Sequence, residues 1–311
     1  MGLPNGASAH SRAAHMYMYC TYSGTQLHHS RRATLSPVGD APGAGNMALS
    51  GSIVACWRAM KAANPLVMCV TNRVTPQRVA DVLLAAGASP AMIDNPDEVG
   101  QFAGLADLIG GGLYLNTGLH ATQMGAIGAV GEWRKTSPDG VLVVDPVGFG
   151  ATAYRNDAIT KMLSECRPEV IKGNASEIVG LSGVQGDGKG VDAGATRPEQ
   201  CVDAARSIAA AYASGAISIT GPSDAIVEGG DSGRVAFVAD GDGGAEDKGR
   251  MLTLVTGTGC SLGALIAATT AASRSDPFVA TVRPEILLRD VTLFMLHPLR
   301  PRTPLFPLPS D

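Results

Sequence analysis

The sequence predicts an α/β fold with a mostly parallel central sheet, helices on both faces and an antiparallel hairpin at one edge. Apolar runs rich in β-branched residues alternate along the chain with longer stretches of helical character. Repeated β-α units of this kind require a parallel sheet that helices cover on both faces. The 311 residues, 45% of them hydrophobic, suffice for one large core.

The β-α units follow one another from about residue 66 to residue 272. The apolar runs are LVMCVT (66–71), GVLVVDPV (140–147), PEVIKG (168–173), AISIT (216–220) and MLTLV (251–255). Helical stretches follow the first three runs, an alanine-rich helix precedes the fourth, and a glycine turn follows the last. The short runs SDAIVEG and GRVAFVA predict the hairpin. Segments rich in glycine and aspartate at 183–198 and 240–250 predict surface loops.

The two ends of the chain differ in composition from residues 47–275, which we interpret as the folded domain. Residues 1–46 contain no acidic residue before Asp40, and they predict a disordered extension or an organelle-targeting segment, with Met47 as an alternative start. Residues 276–311 are rich in proline, which interrupts regular backbone hydrogen bonding, and they predict a poorly ordered tail.

Composition excludes several classes of protein. A formal net charge of −4 with 17% charged residues provides no basic surface for nucleic acid. No apolar stretch reaches the roughly 18 residues that span a bilayer. The six cysteines form no C-x-x-C pair, so neither a zinc site nor a disulfide scaffold is indicated. We therefore expect a protein without nucleic-acid or membrane partners in a reducing compartment, the cytoplasm, with organelle targeting as the alternative.

Polar residues follow the apolar runs at the positions where ligands bind to parallel sheets. Ligands bind beyond the carboxyl ends of parallel strands, so the residues directly after each run are the candidates. The candidates at the ends of the runs or soon after them are Asn72, Asn116, Gly118, Asp145, Lys172, Asn174, Glu177, Thr220 and Gly221. Each fragment alone is a weak signal, but together they predict a polar site on one rim of the sheet.

The glycine turn VTGTGC (255–260) predicts an anion site. The backbone amides of Thr258, Gly259 and Cys260 would begin a helix, where unpaired N–H groups and the helix dipole attract phosphate. A nucleotide phosphate needs a metal ion, and Asp145 and Glu177 supply carboxylates suited to Mg²⁺. The combination predicts a phosphoryl-transfer site.

Two other interpretations of the turn stay open on this pattern alone. GTGCSLG also fits a dinucleotide-binding turn, although that turn belongs in the first β-α unit and here it stands in the last one. The glycines could also serve close helix packing alone, with Cys260 as a small buried hydrophobic residue.

The stretch from about 65 to 273 resembles the hydroxyethylthiazole kinases of the ribokinase-like superfamily. These enzymes phosphorylate a thiazole alcohol in thiamine salvage. The matching segments, in family order, are VTN (70–72), LLAAGASPAM (83–92), LNTG (115–118), VVDPVGFGAT (143–152), VIKGNASEI (170–178), GVDAG (190–194), ITG (219–221) and VTGTGC (255–260). They cover about two thirds of the chain.

The resemblance implies an ATP-dependent kinase with a ribokinase-like fold, and it assigns roles to the candidate residues. Met92, Gly257 and Asn72 are implied as thiazole contacts, Lys172 and Thr220 as ATP contacts, Asp145 and Glu177 as Mg²⁺ ligands, and Thr258, Gly259 and Cys260 as the catalytic turn. Cys260 takes the position where most ribokinase relatives carry an aspartate base. The resemblance also implies a homotrimer. A structural role remains the alternative for Met92 as core, for Thr220 as a strand-end cap and for Asn72 as a turn former.

The chain departs from the family pattern at three places. Lys172 replaces the more common arginine, which keeps the positive charge but loses the bidentate fork. Met68 stands where the family usually has histidine. The residues after DPFVATV no longer resemble the family.

Two hypotheses follow: an active thiazole kinase, or a catalytically incompetent homologue that at most binds a small molecule. A sister kinase acting on another small alcohol is a minor third.

Overall fold

The computed structural model describes residues 17–21, 44–183, 198–231, 233–239 and 255–296. Several sequence predictions therefore lie outside the described residues: most of the N-terminal extension, the loop at 240–250, nearly all of the loop at 183–198 including GVDAG, the run MLTLV except Val255, and the last residues from 297. Among the described residues, no helix is both long enough and apolar enough to cross a membrane.

The strands of the described chain form one sheet. They are β1 (Tyr17–Thr21), β2 (Leu66–Val70), β3 (Ser89–Met92), β4 (Gly112–Asn116), β5 (Val141–Asp145), β6 (Val170–Asn174), β7 (Ala216–Thr220), β8 (Asp224–Glu228) and β9 (Val235–Ala239). The order across the sheet is β1-β9-β8-β7-β6-β5-β4-β2-β3. Strands β2 to β7 are parallel, whereas β8, β9 and β1 extend the sheet in antiparallel pairs. The predicted fold class and the antiparallel edge hairpin are confirmed.

Helices cover both faces of the sheet. They are α1 (Ala44–Ala63), α2 (Pro76–Ala86), α3 (Pro96–Leu108), α4 (Gly125–Thr136), α5 (Ala153–Cys166), α6 (Ala175–Leu181), α7 (Val202–Tyr212), α8 (Thr258–Ala272) and α9 (Pro277–Leu296). One buried apolar cluster joins α3 to α7 to one face, and a second joins α1, α2, α8 and α9 to the other. The central strands are buried on both faces, which explains their continuous apolar runs.

Strand β4 shows how the two faces are separated. Leu113 and Leu115 belong to the cluster under α3 to α7, whereas Tyr114 between them belongs to the cluster under α8. Alternate side chains of a strand point to opposite faces, so one strand contributes to both clusters. Tyr114 is thereby placed beneath the helix that begins at the glycine turn.

Strand β1 lies within the N-terminal segment for which the sequence predicted disorder. Residues 17–21 pair antiparallel with β9, so the prediction is wrong for these five residues. The run YMYCT contains tyrosines and a threonine, which favour strands, and the open edge of β9 offers unpaired backbone groups.

Helix α9 contradicts the predicted poorly ordered tail for residues 277–296. Its side chains from Phe278 to Ile286 include fully buried members of the core, so this segment belongs to the domain. Asp276 accepts a hydrogen bond from the Val279 N–H at 3.0 Å, and Pro277 follows at the first helical position. An N-cap aspartate before a proline is a helix-start signal that a count of prolines overlooks.

Pro284 lies inside α9, and a neighbouring side chain compensates for it. Proline has no N–H, so the carbonyl of Ala280, four residues earlier, loses its helical donor. The buried hydroxyl of Thr269 on α8 lies 2.7 Å from this carbonyl oxygen, nearer than the carbonyls of its own helix at Leu265 (2.9 Å) and Ile266 (3.1 Å), and we assign its single proton to Ala280. The hydrogen bond joins the two helices at the position where the proline leaves an acceptor unsatisfied.

We predict that Thr269→Val lowers the free energy of unfolding by about 1–3 kcal/mol, because it leaves a buried carbonyl without a donor. Thr270→Val is the matched control. The Thr270 hydroxyl is also buried, and it has no hydrogen-bond partner among the described residues, so its loss should be nearly neutral. Urea denaturation of both variants makes the comparison, and equal losses of stability would contradict the interpretation.

Candidate active site

The site lies where the carboxyl ends of the central parallel strands meet the start of α8. Strand pairing sets its residues side by side: Asn116 lies opposite Asp145 across β4 and β5, and Asn174 lies opposite Thr220 across β6 and β7. The predicted convergence of polar residues on one rim therefore follows from the register of the sheet.

Asp145 is the buried centre of the site, with only 1% of its surface exposed. Its Oδ2 atom accepts hydrogen bonds from Lys172 Nζ at 3.0 Å and from Tyr114 Oη at 3.1 Å. Its Oδ1 atom is also buried and has no hydrogen-bond partner among the described residues. One carboxylate oxygen is thus saturated, and the other keeps its full capacity to accept a ligand.

The negative charge of Asp145 contributes to a raised pKa at both Lys172 and Tyr114. Burial alone would lower the pKa of Lys172, but the attraction of Asp145 and Glu177 outweighs burial and raises that pKa, so the lysine stays charged. Burial and then the charge of Asp145 raise the pKa of Tyr114, so its hydroxyl stays protonated. Both groups therefore remain hydrogen-bond donors to Asp145.

Glu177 lies in the first turn of helix α6 and is largely buried. Its side chain accepts from the Asn174 N–H at 2.9 Å, while the Asn174 side chain accepts from the Glu177 N–H, which completes a capping box. The Gly148 N–H also donates to Glu177, at 3.2 Å. Burial and then the nearby charge of Asp145 raise the pKa of Glu177. The segment GNASE thus holds the Glu177 carboxylate where the negative charge of Asp145 acts on it.

Helix α8 begins at the predicted glycine turn. Gly257 has a φ of 90°, a left-handed conformation that favours glycine, and no side chain caps the helix there. The first helical hydrogen bond runs from Ser261 N to Gly257 O, at 2.9 Å. A β-carbon on Gly259 would lie 3.1 Å from Lys172 Nζ, so the turn directly adjoins the buried lysine. The start of α8 therefore combines backbone N–H groups with a nearby positive charge, as an anion site requires.

The sulfur of Cys260 receives two side-chain amides. Asn116 Nδ2 lies 3.3 Å and Asn72 Nδ2 lies 3.5 Å from Sγ. Backbone donors fix both amide orientations: Gly118 N donates to Asn116 Oδ1 and Val74 N donates to Asn72 Oδ1. Cys260 is partly exposed and also packs against the core cluster under α8. It therefore borders the site and the core.

The other predicted residues lie at the margins of this cluster. Thr220 ends β7, and its hydroxyl donates to the carbonyl of Gly173 on the neighbouring strand β6, at 3.3 Å. Met92 ends β3 at the edge of the sheet, beside Cys69 of β2. Asn72 is both a turn former, through Val74, and a neighbour of Cys260. The roles assigned to all of these residues stay predictions.

Sequence reasoning missed Tyr114. It selected residues that directly follow a strand, and Tyr114 stands two residues before the end of β4. The signal that could have found it is the one phenol in the aliphatic run GLYLN, on the same side of the strand as Asn116. Asn116 was noticed at the strand end, but no role was predicted for it.

The donor set fits a magnesium ion that is shared with a nucleotide. The described residues contain no cluster of three or more histidine, cysteine or carboxylate side chains that could hold a metal by themselves. Mg²⁺ commonly binds through one or two carboxylates together with substrate phosphates and waters. Asp145, with its unpartnered buried oxygen, and Glu177 nearby match that mode.

Comparisons with known proteins agree on one family. The model of the family described as "Hydroxyethylthiazole kinase family" matches residues 57–288. A hydroxyethylthiazole kinase of Corynebacterium efficiens is 39% identical over 226 residues, which cover 72% of this chain and 77% of the relative. That of Serratia proteamaculans is 41% identical over 216 residues, 69% of this chain and 75% of the relative. The solved hydroxyethylthiazole kinase structure from Pyrococcus horikoshii superposes with a TM-score of 0.59 at 28% identity and covers 75% of this chain and 80% of that one.

We predict that Lys172→Met lowers the free energy of unfolding by about 3 kcal/mol, because it leaves the charge of Asp145 buried without its partner. Adding Asp145→Asn should recover part of that loss, since the uncompensated charge is removed. Lys135→Met is the matched control, because Lys135 pairs with Glu132 at 2.6 Å on the exposed surface and should matter little. Urea denaturation measures all variants, and an additive double variant would contradict the pairing.

Proposed function

This chain belongs to the hydroxyethylthiazole kinase family, and we propose that it transfers the γ-phosphoryl group of ATP to the hydroxyethyl group of 4-methyl-5-(2-hydroxyethyl)thiazole in thiamine salvage. The observation that carries the proposal is the unpartnered oxygen of buried Asp145 beside Lys172, which itself adjoins the uncapped start of α8. This arrangement supports the proposal of a cation site beside an anion site, the combination that phosphoryl transfer uses.

The start of α8 would receive the transferring phosphoryl group. Backbone N–H groups at a helix N-terminus stabilise the negative oxygens of phosphate, and Gly257 and Gly259 leave the approach free of β-carbons. A loose phosphoryl-transfer transition state gains most from positioning and charge neutralisation. We therefore assign to the amides of Thr258, Gly259 and Cys260 the larger share of the catalytic effect.

Asp145 and Glu177 are the residues that would hold Mg²⁺. When bound, the ion would neutralise the nucleotide phosphates and help to align them. Lys172 is assigned to the phosphates as well, but its ammonium group already bonds Asp145, so it acts on the carboxylate and on the phosphates together. Thr220, at the adjoining strand end, is assigned to ATP.

We assign to Cys260 the orientation of the substrate alcohol. Its sulfur accepts hydrogen bonds from the side-chain amides of Asn72 and Asn116. The Asn116 amide also contacts Asp145 and so connects the cysteine to that carboxylate. In its thiolate form, Cys260 would accept the proton that the attacking hydroxyl loses and become a neutral thiol. Asn72, Met92 and Gly257 are assigned to the thiazole ring. A homotrimer, which the family resemblance implies, and a cytoplasmic location, which the cysteine pattern favours, complete the proposal.

The hypothesis of a catalytically incompetent homologue depended on a chain end that departs from the family after DPFVATV and would prevent stable assembly. That argument is weakened because α9 packs through Phe278 and Ile286 into the core. The direct test is ADP release by the purified chain with ATP and Mg²⁺, with and without the thiazole alcohol. We expect release that depends on the alcohol. Equal ADP release with and without the thiazole alcohol would contradict the proposed substrate. ADP release that is as fast with pyridoxal as with the thiazole alcohol would also contradict it.

We predict that Cys260→Ala lowers kcat by about 10²-fold, the low end of the range for a general base, because positioning and charge contribute more in a loose transition state. Cys260→Asp should preserve or raise kcat, since the carboxylate can accept the same two amide donors and is ionised at neutral pH. Cys166→Ala, at a buried cysteine in α5, is the control. Wild-type kcat in Cys260→Ala would show that the thiol serves packing alone.

A further inference from the structure

Tyr114 imposes two requirements on the core that an aliphatic residue would not: space for its ring and hydrogen-bond partners for its hydroxyl. It is fully buried in the middle of β4, and its ring reaches α8 at Gly263. A β-carbon at Gly263 would lie 2.3 Å from Tyr114 Cε2 and 2.9 Å from Cζ, so only glycine leaves room for the ring. Glycine destabilises a helix interior, and a buried hydroxyl needs partners. An aliphatic residue would fill the strand without either requirement.

The hydroxyl of Tyr114 belongs to a chain of hydrogen bonds whose direction is fixed. Gly118 N–H donates to Asn116 Oδ1 at 2.9 Å, so Nδ2 of that amide is the side that faces the tyrosine. An amide nitrogen can only donate, and it donates to Tyr114 Oη at 3.1 Å. The single proton of the phenol is then left for Asp145 Oδ2, at 3.1 Å.

The chain ends on the same carboxylate oxygen that Lys172 contacts. Lys172 Nζ reaches Oδ2 at 3.0 Å, and Asn116 Nδ2 adds a longer contact to Oδ2 at 3.4 Å. The other oxygen, Oδ1, has no hydrogen-bond partner among the described residues although it is buried. The donors therefore fix the rotation of the Asp145 carboxylate about its Cβ–Cγ bond and distinguish its two oxygens.

We infer that Tyr114 is a positioning residue for Asp145: with Lys172 it saturates Oδ2 and thereby reserves Oδ1 for the metal ion. The inference rests on the proposed function, because it concerns the metal that a phosphoryl transfer uses. Groups that orient a metal ligand through hydrogen bonds typically change metal affinity or activity by about 10–100-fold when they are removed. Tyr114 acts through Asp145 and is assigned no contact with the substrates.

The test removes the hydroxyl and keeps the ring. Tyr114→Phe preserves the packing against Gly263, and Tyr212→Phe is the matched control, since Tyr212 ends α7 on the opposite face of the sheet. Isothermal titration of Mg²⁺ into protein saturated with a non-hydrolysable ATP analogue measures the metal affinity. We expect the metal Kd to rise about tenfold in Tyr114→Phe and to stay unchanged in Tyr212→Phe.

Turnover provides a second readout that a packing defect would not reproduce. At limiting Mg²⁺ the kcat of Tyr114→Phe should fall by about the same factor as the metal affinity, and saturating Mg²⁺ should restore it. A melting curve checks the fold, and the titration is run in the cold if the melting temperature falls. An unchanged metal Kd, or a loss of kcat that saturating Mg²⁺ does not restore, would overturn the inference.

The two proposals fail in distinguishable ways. If the wild-type chain binds Mg²⁺ with the analogue but never consumes the thiazole alcohol, the proposed substrate is wrong, and the metal titration still decides the role of Tyr114. If the wild-type chain turns over and both phenylalanine variants bind Mg²⁺ equally well, the kinase proposal stands and the role of Tyr114 is wrong.

Discussion

The site depends on the requirement that a buried carboxylate must have compensating partners. Removing Asp145 from water costs several kcal/mol, which hydrogen bonds and an opposite charge must offset. The protein supplies Lys172 and Tyr114 to one oxygen and no described partner to the other. In the proposed function this asymmetry makes Asp145 a cation ligand, because its second oxygen gains a partner only when a cation binds.

The start of α8 complements this carboxylate with the opposite polarity. A helix N-terminus favours anions, and α8 begins without a side-chain cap and with Gly259 beside the lysine. Cys260 then links the two halves of the site, because Asn116 contacts its sulfur, the Tyr114 hydroxyl and Asp145. The residues proposed for the cation site and for proton acceptance thus belong to one continuous network of hydrogen bonds, and Lys172 joins that network to the proposed anion site.

The sequence predicted the sheet, the edge hairpin and the rim well, because strand periods and strand-end residues are local signals. It did not predict α9, since the cap of Asp276 and the donor from Thr269 to the carbonyl freed by Pro284 depend on pairings that proline content does not reveal. Tyr114 was missed because its partners, Asp145 and Gly263, come from distant parts of the chain. The interactions that distinguish the two oxygens of Asp145 exist only in the folded protein.

The most direct test of this account is a crystal structure with Mn²⁺ and a non-hydrolysable ATP analogue. Mn²⁺ prefers the same oxygen ligands as Mg²⁺, and its anomalous scattering locates it independently of the atomic coordinates. The account predicts an anomalous peak within coordination distance of Asp145 Oδ1, with Lys172 and Tyr114 still donating to Oδ2. A peak on Oδ2, or metal and nucleotide bound away from Asp145, would contradict it.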